Sequence, residues 1–170
     1  FESRLWLIAS AFDSGEGNKL MAAITWCLGV FDEHPHRFDH QTILWQCKHA
    51  MSYFSSFPSV TLEQMAQAQE DIIKRYRQFG VSLRPIYTFA CSNALAMGHH
   101  DQAPGFFETW QGLPIDGFGE GPEWETYFRA EYYTAMKQWD RAFQEAAPIL
   151  SGRLPSVDVY RWLAQLLFRP

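Results

Sequence analysis

The chain has 170 residues, 47% hydrophobic and 16% aromatic but only 19% charged, so it holds ample apolar material for a core and does not read as disordered. Its net charge is -5 and it has no basic stripe, which leaves nucleic-acid binding without an electrostatic footprint. No run approaches the roughly 18 apolar residues needed to span a bilayer, and no signal peptide is visible, so the cytoplasm is the expected compartment and no membrane partner is expected.

Apolar residues recur at three-to-four spacing over residues 2–12, where Leu5, Trp6, Ile8, Ala9 and Phe12 predict a first helix. Asp13 to Gly17 breaks it. A second helix is predicted over 18–31, with Leu20, Ala23, Ile24, Cys27, Leu28 and Phe31 on one side, and Pro35 closes the linker that follows. The third runs over 40–54 through Leu44, Cys47, Met51 and Phe54. Thr61 with Gln64 three residues on has the form of a capping box, opening a fourth helix that stops at Gly80.

A fifth helix is predicted over 83–97, with Pro85 in its first turn, and a shorter sixth over 101–110. Gly112 to Pro122 is rich in Gly and Pro and reads as a loop. The seventh and eighth cover 123–136 and 139–150, with Pro148 set to end or kink the latter. Pro155 and Ser156 open a ninth, with Val159, Trp162, Leu163 and Leu166 on one stripe. No segment alternates strictly enough for a strand, so the expected class is all-α.

Three stretches share a turn pattern: Gly17 to Ala22, Gly98 to Ala103 and Lys137 to Ala142. Each is a polar turn followed by a small Ala. The last two alanines lie 39 residues apart and the first two 81, about two periods. A fixed period of this size signals stacked helical hairpins, each burying its apolar face on the next. Nine helices make four antiparallel hairpins plus an unpaired terminal helix. That apolar helix needs a lid from residues beyond Pro170, or packs back as a cap, or pairs in a homo-oligomer; the first is favoured, and with Phe1 in place of Met the chain reads as a piece of a longer one.

These residues resemble the tetratricopeptide-repeat family. The first hairpin offers Trp6, Gly17, Ala22, Trp26, Gly29 and Pro35; a later one offers Tyr87, Gly98, Ala103, Phe107 and Trp110; the last offers Ala130, Tyr133, Trp139, Ala142, Ile149 and Pro155. The hairpin around Cys47 to Phe79 lacks the turn signature, and the spacing near forty exceeds the family's 34. Residues 31–39 and 146–154 are similar to uncharacterised bacterial proteins of this type. Such relatives carry a CxxC before the last hairpin; here Gly117 to Pro122 has no Cys, so no metal role is inherited. The resemblance implies a single right-handed α-solenoid domain over 1–170, a concave groove lined by the first helix of each hairpin, and a protein or peptide partner. The lining would draw on Arg4, Lys48, Arg84, Ser92, Trp124, Tyr127 and Glu131. Trp124 and Tyr127 are equally readable as core between hairpins.

Other chemistry is thinner. Glu33, His34, His36, Asp39 and His40 are metal-ligating types in one linker, but no HExxH or second cluster accompanies them, and a linker collects polar residues anyway. His99-His100 falls in a turn. Glu120, Glu123, Glu125 and Glu131 lie among aromatics, as in sugar-cleaving sites, yet without a paired-acid motif; Glu123 and Glu125 suit a helix's first turn. Cys27, Cys47 and Cys91 have no paired spacing and read as buried free thiols. The run Lys74-Arg75-Tyr76-Arg77 shares a helix with Glu70 and Asp71 and reads as a solvated face. The sequence thus favours a non-enzymatic scaffold that binds a protein or peptide, with no cofactor and no metal. A peptide-sensing regulatory module and a metal-dependent hydrolase using residues 33–40 are the alternatives.

Overall fold

A computed structural model describes residues 17–116 and 121–154, together with Leu163. The predicted helix over 2–12, most of the ninth helix, and the groove residue Arg4 lie outside the described residues. Among the described residues the fold is all-helical, with no strand. Seven α-helices run in order: α1 (Gly17–Glu33), α2 (His40–Met51), α3 (Leu62–Gln78), α4 (Arg84–Ala96), α5 (Ala103–Gly112), α6 (Pro122–Ala135) and α7 (Trp139–Leu150). The chain divides into two compact units, Phe1–Phe89 and Ala90–Pro170, and the boundary falls inside α4.

In the first unit, α1 buries the stripe the sequence marks out: Leu20, Ala23, Ile24, Cys27, Leu28 and Phe31. Pro35 then fixes a short 3-10 turn over Pro35–Arg37, closed by the Phe38 N–H donating to the Pro35 carbonyl at 3.2 Å. Asp39 caps α2, its carboxylate accepting from the Thr42 N–H at 2.8 Å. The bonds to Thr42, side chain first and backbone second, hold the Asp39 carboxyl below its ordinary range. Helix α2 ends at Met51, earlier than its apolar pattern suggests, because Phe54 is carried into the core by a second 3-10 turn, Phe54–Ser56.

Helix α3 opens on the expected capping box. Gln64 N–H donates to Thr61 Oγ1 at 3.2 Å, and Thr61 N–H donates to Gln64 Oε1 at 2.8 Å. It closes on Gly80 at φ +61°, where Val81 N–H reaches the Tyr76 carbonyl and Gly80 N–H the Arg77 carbonyl. Phe31, Phe38, His40 and Phe79 cluster beside the first 3-10 turn; Phe31 and Phe79 meet edge-on at 4.7 Å. The basic run on α3 is more than a solvated face. Tyr76 is buried, Arg75 pairs with Asp32 of α1 through bonds of 2.6 and 3.0 Å, and Arg77 donates to the Tyr87 hydroxyl at 2.7 Å.

In the second unit two helix ends share one geometry. Helix α4 ends on Gly98 at φ +79°, with His99 N–H to the Ala94 carbonyl and Gly98 N–H to the Leu95 carbonyl. Thirty-nine residues later, α6 ends the same way on Lys137 at φ +58°, with Gln138 N–H to the Tyr133 carbonyl and Lys137 N–H to the Thr134 carbonyl. Five residues beyond each of these left-handed positions stands a fully buried alanine, Ala103 and Ala142. The third stretch does not share this geometry: Gly17 to Ala22 lie within α1, and Ala22 is exposed.

Aromatic packing fills this unit. Phe107 of α5 stacks on Tyr132 of α6 at 3.8 Å and 5°, and Trp110 meets Phe128 edge-on at 4.9 Å. Helices α6 and α7 pack along their length, over a cluster of Ala130, Ala146, Ile149 and Leu163. Arg129 lies across the pair, donating from Nε to Glu145 at 2.6 Å and from Nη2 to Thr126 at 3.3 Å. Pro148 leaves α7 running to Leu150, since it falls in the last turn.

Removing the Phe107 ring takes away the partner of Tyr132 and leaves a cavity. The expected cost of Phe107→Ala is about 3–5 kcal/mol, read as a lower denaturant midpoint. Thr61→Ala is expected to cost about 1 kcal/mol by the same measurement, through loss of the capping box.

Candidate functional site

The residues expected to line a groove divide between the two units. Lys48 and Arg84 belong to the first and are only 3% and 6% exposed. The Lys48 ammonium sits 4.4 Å from the centroid of the Trp45 ring, one turn from it on α2. Arg84 opens α4, and its carbonyl accepts from the Thr88 hydroxyl at 3.2 Å. Neither presents an open cationic head in this conformation.

Ser92, Trp124, Tyr127 and Glu131 belong to the second unit, and each is half-buried. On α6, the last three occupy positions i, i+3 and i+7, which share one stripe of a helix. Trp124 and Tyr127 meet edge-on with centroids 5.9 Å apart. The Tyr127 hydroxyl donates to Glu131 Oε1 at 3.4 Å, and the Ser92 hydroxyl donates from α4 to Glu131 Oε2 at 3.1 Å. Ser92 and Glu131 are separated by 39 residues, the same spacing as Gly98 and Lys137.

Trp124 and Tyr127 also pack against the Ala130, Ala146, Ile149 and Leu163 cluster. Both rings are half-buried, and this packing is what the core reading of them expects.

Cys91 lies beside this network and was legible only as a buried thiol. Its Sγ donates to the Ala103 carbonyl at 3.6 Å. Burial first, and then the negative charge of Glu131, push its thiol up to about 12. Cys47, fully buried in the first unit, is likewise pushed up to about 12 by burial, with Cys27 adding to the shift. All three cysteines are buried free thiols.

The histidine-rich linker is spread rather than convergent. His34 and His36 are exposed, with ring centroids 6.5 Å apart. His40 turns inward, its ring 5.5 Å from Phe31 and 4.8 Å from Phe79. Its Nε2 lies 3.1 Å from the Pro35 carbonyl, which can only accept, so that nitrogen carries the proton. Asp39 is engaged as a helix cap. Among the described residues, no group of three or more His, Cys, Asp or Glu side chains is placed to hold a metal ion. His99 serves the turn after α4, its carbonyl accepting from the N–H groups of Gln102 and Ala103. Of the acidic residues near the central loop, Glu125 lies 3.9 Å from Arg129, and Glu120 lies outside the described residues.

No family model, curated protein or solved structure matches the chain. Among the described residues, no helix is long and apolar enough to cross a membrane.

A thiol held neutral reacts slowly, because the thiolate is the nucleophile. At neutral pH, iodoacetamide is expected to leave Cys47 and Cys91 largely unmodified in the native protein and to label both after denaturation. Mass-spectrometric mapping of the labelled peptides checks this.

Proposed function

We propose that this chain is a non-enzymatic binding module of stacked helical hairpins, tetratricopeptide-like in plan, that holds a protein or peptide segment against the α6 face bearing Trp124, Tyr127 and Glu131. The observation that carries the reading is the Ser92–Glu131 hydrogen bond. It links equivalent positions one repeat apart, which is what stacking the first helix of one hairpin on the first helix of the next would produce. The matching helix ends at Gly98 and Lys137 and the matching buried alanines support the same plan.

The face suits recognition for physical reasons. Trp and Tyr supply large contact area with little rotamer entropy to lose, and both are enriched where binding energy concentrates. Here the rings are held by packing against the α6–α7 cluster and by the Tyr127 hydroxyl bond, so they are already ordered before a ligand arrives. The Glu131 carboxylate at the end of the stripe is held by the Ser92 and Tyr127 hydroxyls, so it too is positioned in advance.

Selection of a displayed random-peptide library on the purified protein tests this. Enrichment of a peptide family is expected, with affinity falling at least about tenfold in Trp124→Ala and Tyr127→Ala, since truncated anchor residues commonly cost 2 kcal/mol or more. Phe143→Ala, on the exposed side of α7, is expected to bind as the native protein does. Variants are compared only when their helical circular dichroism matches the native protein. No enriched peptide, or equal binding by folded Trp124→Ala and Tyr127→Ala, contradicts the reading.

A further inference from the structure

We infer that His34 and His36, at the turn between α1 and α2, form a two-histidine surface site for a divalent transition-metal ion of the zinc type. The site lies in the first unit and is independent of the peptide-binding reading. The histidine-rich linker as a whole does not converge, but its two exposed members face each other. Three observations carry the inference.

The first is reach. Both rings are exposed, with centroids 6.5 Å apart and planes at 81°. Bonds of about 2.0–2.1 Å from one ion to two imidazole nitrogens set the ring centroids about 5 Å apart at a tetrahedral angle. The same bonds set them about 6.5 Å apart when the nitrogens lie on opposite sides of the ion. The observed spacing falls at the wide end of that range. A side-chain adjustment of about 1.5 Å reaches the tetrahedral end, which exposed rings make by rotamer motion.

The second is the backbone beneath the rings. His34 N–H donates to the Val30 carbonyl at 3.1 Å, and the His34 carbonyl accepts from Arg37 N–H at 3.0 Å. The Pro35 carbonyl accepts from Phe38 N–H at 3.2 Å and from the His40 ring at 3.1 Å. Pro35 fixes its own φ between the two histidines. The main chain under the pair is thus held by the end of α1 and the start of α2. Binding has only two side chains to order, which keeps its entropic cost low.

The third is the fit of charge and ligand type. Helix α1 ends at Glu33, so the partial negative charge of its last carbonyls falls beside His34. Glu33 is exposed and adds a full negative charge to the same turn, although it is not placed as a third ligand. Imidazole nitrogen suits zinc, copper and nickel, whereas magnesium and calcium take oxygen ligands. Two protein ligands leave the remaining positions to water, so the site is open rather than a closed structural centre.

The probe is Zn2+ alone, titrated into the isotope-labelled full chain in a buffer that does not chelate it. The readout is the ring C–H resonances of His34 and His36, assigned with His34→Ala and His36→Ala, with affinity from calorimetry. Both rings are expected to shift on one saturating curve at one ion per chain. Mg2+ at the same concentrations is expected to shift neither. Losing either histidine leaves a single ligand, so each single variant is expected to bind Zn2+ at least about tenfold more weakly. A His99→Ala, His100→Ala double variant removes the other histidine pair and is expected to bind as the native protein does. All variants are compared at matching helical circular dichroism.

Rings that saturate separately, an equal response to Mg2+, or undiminished binding by folded His34→Ala or His36→Ala overturns the inference. Binding lost in the His99→Ala, His100→Ala variant would also overturn it, by placing the ion at the turn after α4.

Discussion

The second unit depends on close approach of helices at alanine. Ala103 and Ala142 stand at the same distance past a left-handed helix end, and both are fully buried. A side chain with only a Cβ lets the backbone of the returning helix come near its partner, and the space between is then filled by the long residues around it. Ala130 and Ala146 extend the same arrangement into the α6–α7 cluster. With α6 held in this way, Trp124 and Tyr127 pack against the α6–α7 cluster and Glu131 follows on their stripe. The position of the candidate site is therefore a consequence of small residues that never touch a ligand.

The electrostatics follow the same economy. Two acidic networks share α6 but serve different ends. Glu125 and Glu145 are engaged by Arg129, which also lies 5.8 Å from the Trp110 ring centroid, so that network ties α6 to α7 and to α5. Glu131 accepts hydroxyl bonds from Ser92 of α4 and Tyr127 of its own helix, so this network ties α6 to α4.

Much of the local fold was legible because it is written at short range. The apolar spacing of Leu20 to Phe31 gave α1, and Thr61 with Gln64 gave the cap of α3. The matching turns after α4 and α6 were legible because a polar turn and a following alanine recur 39 residues apart in the sequence. The stretch from Gly17 to Ala22 misled because it lies within α1, and spacing alone does not separate a turn from a helix. Phe54 belonged to the core as its pattern suggested, but by way of a 3-10 turn that periodicity cannot distinguish from a continuing helix. Contacts between distant residues were not legible: nothing near Arg75 points to Asp32, 43 residues away. Ser92 and Glu131 were both placed among the groove residues, yet their bond became intelligible only once the period was fixed. Lys48 and Arg84 were placed in the groove by the family resemblance, and their burial depends on packing that the resemblance does not encode.

The most direct measurement of the account compares Ala142→Leu with Gln144→Leu on the same helix. Alanine and leucine are both strong helix formers, so packing dominates the first change, while the second alters an exposed position. If close approach at alanine sets the pairing of helices, Ala142→Leu should lower the unfolding free energy by about 1–3 kcal/mol, and Gln144→Leu should change it by less than about 0.5 kcal/mol. Equal stability of the two variants would contradict the claim that this buried alanine holds α6 and its candidate site in place.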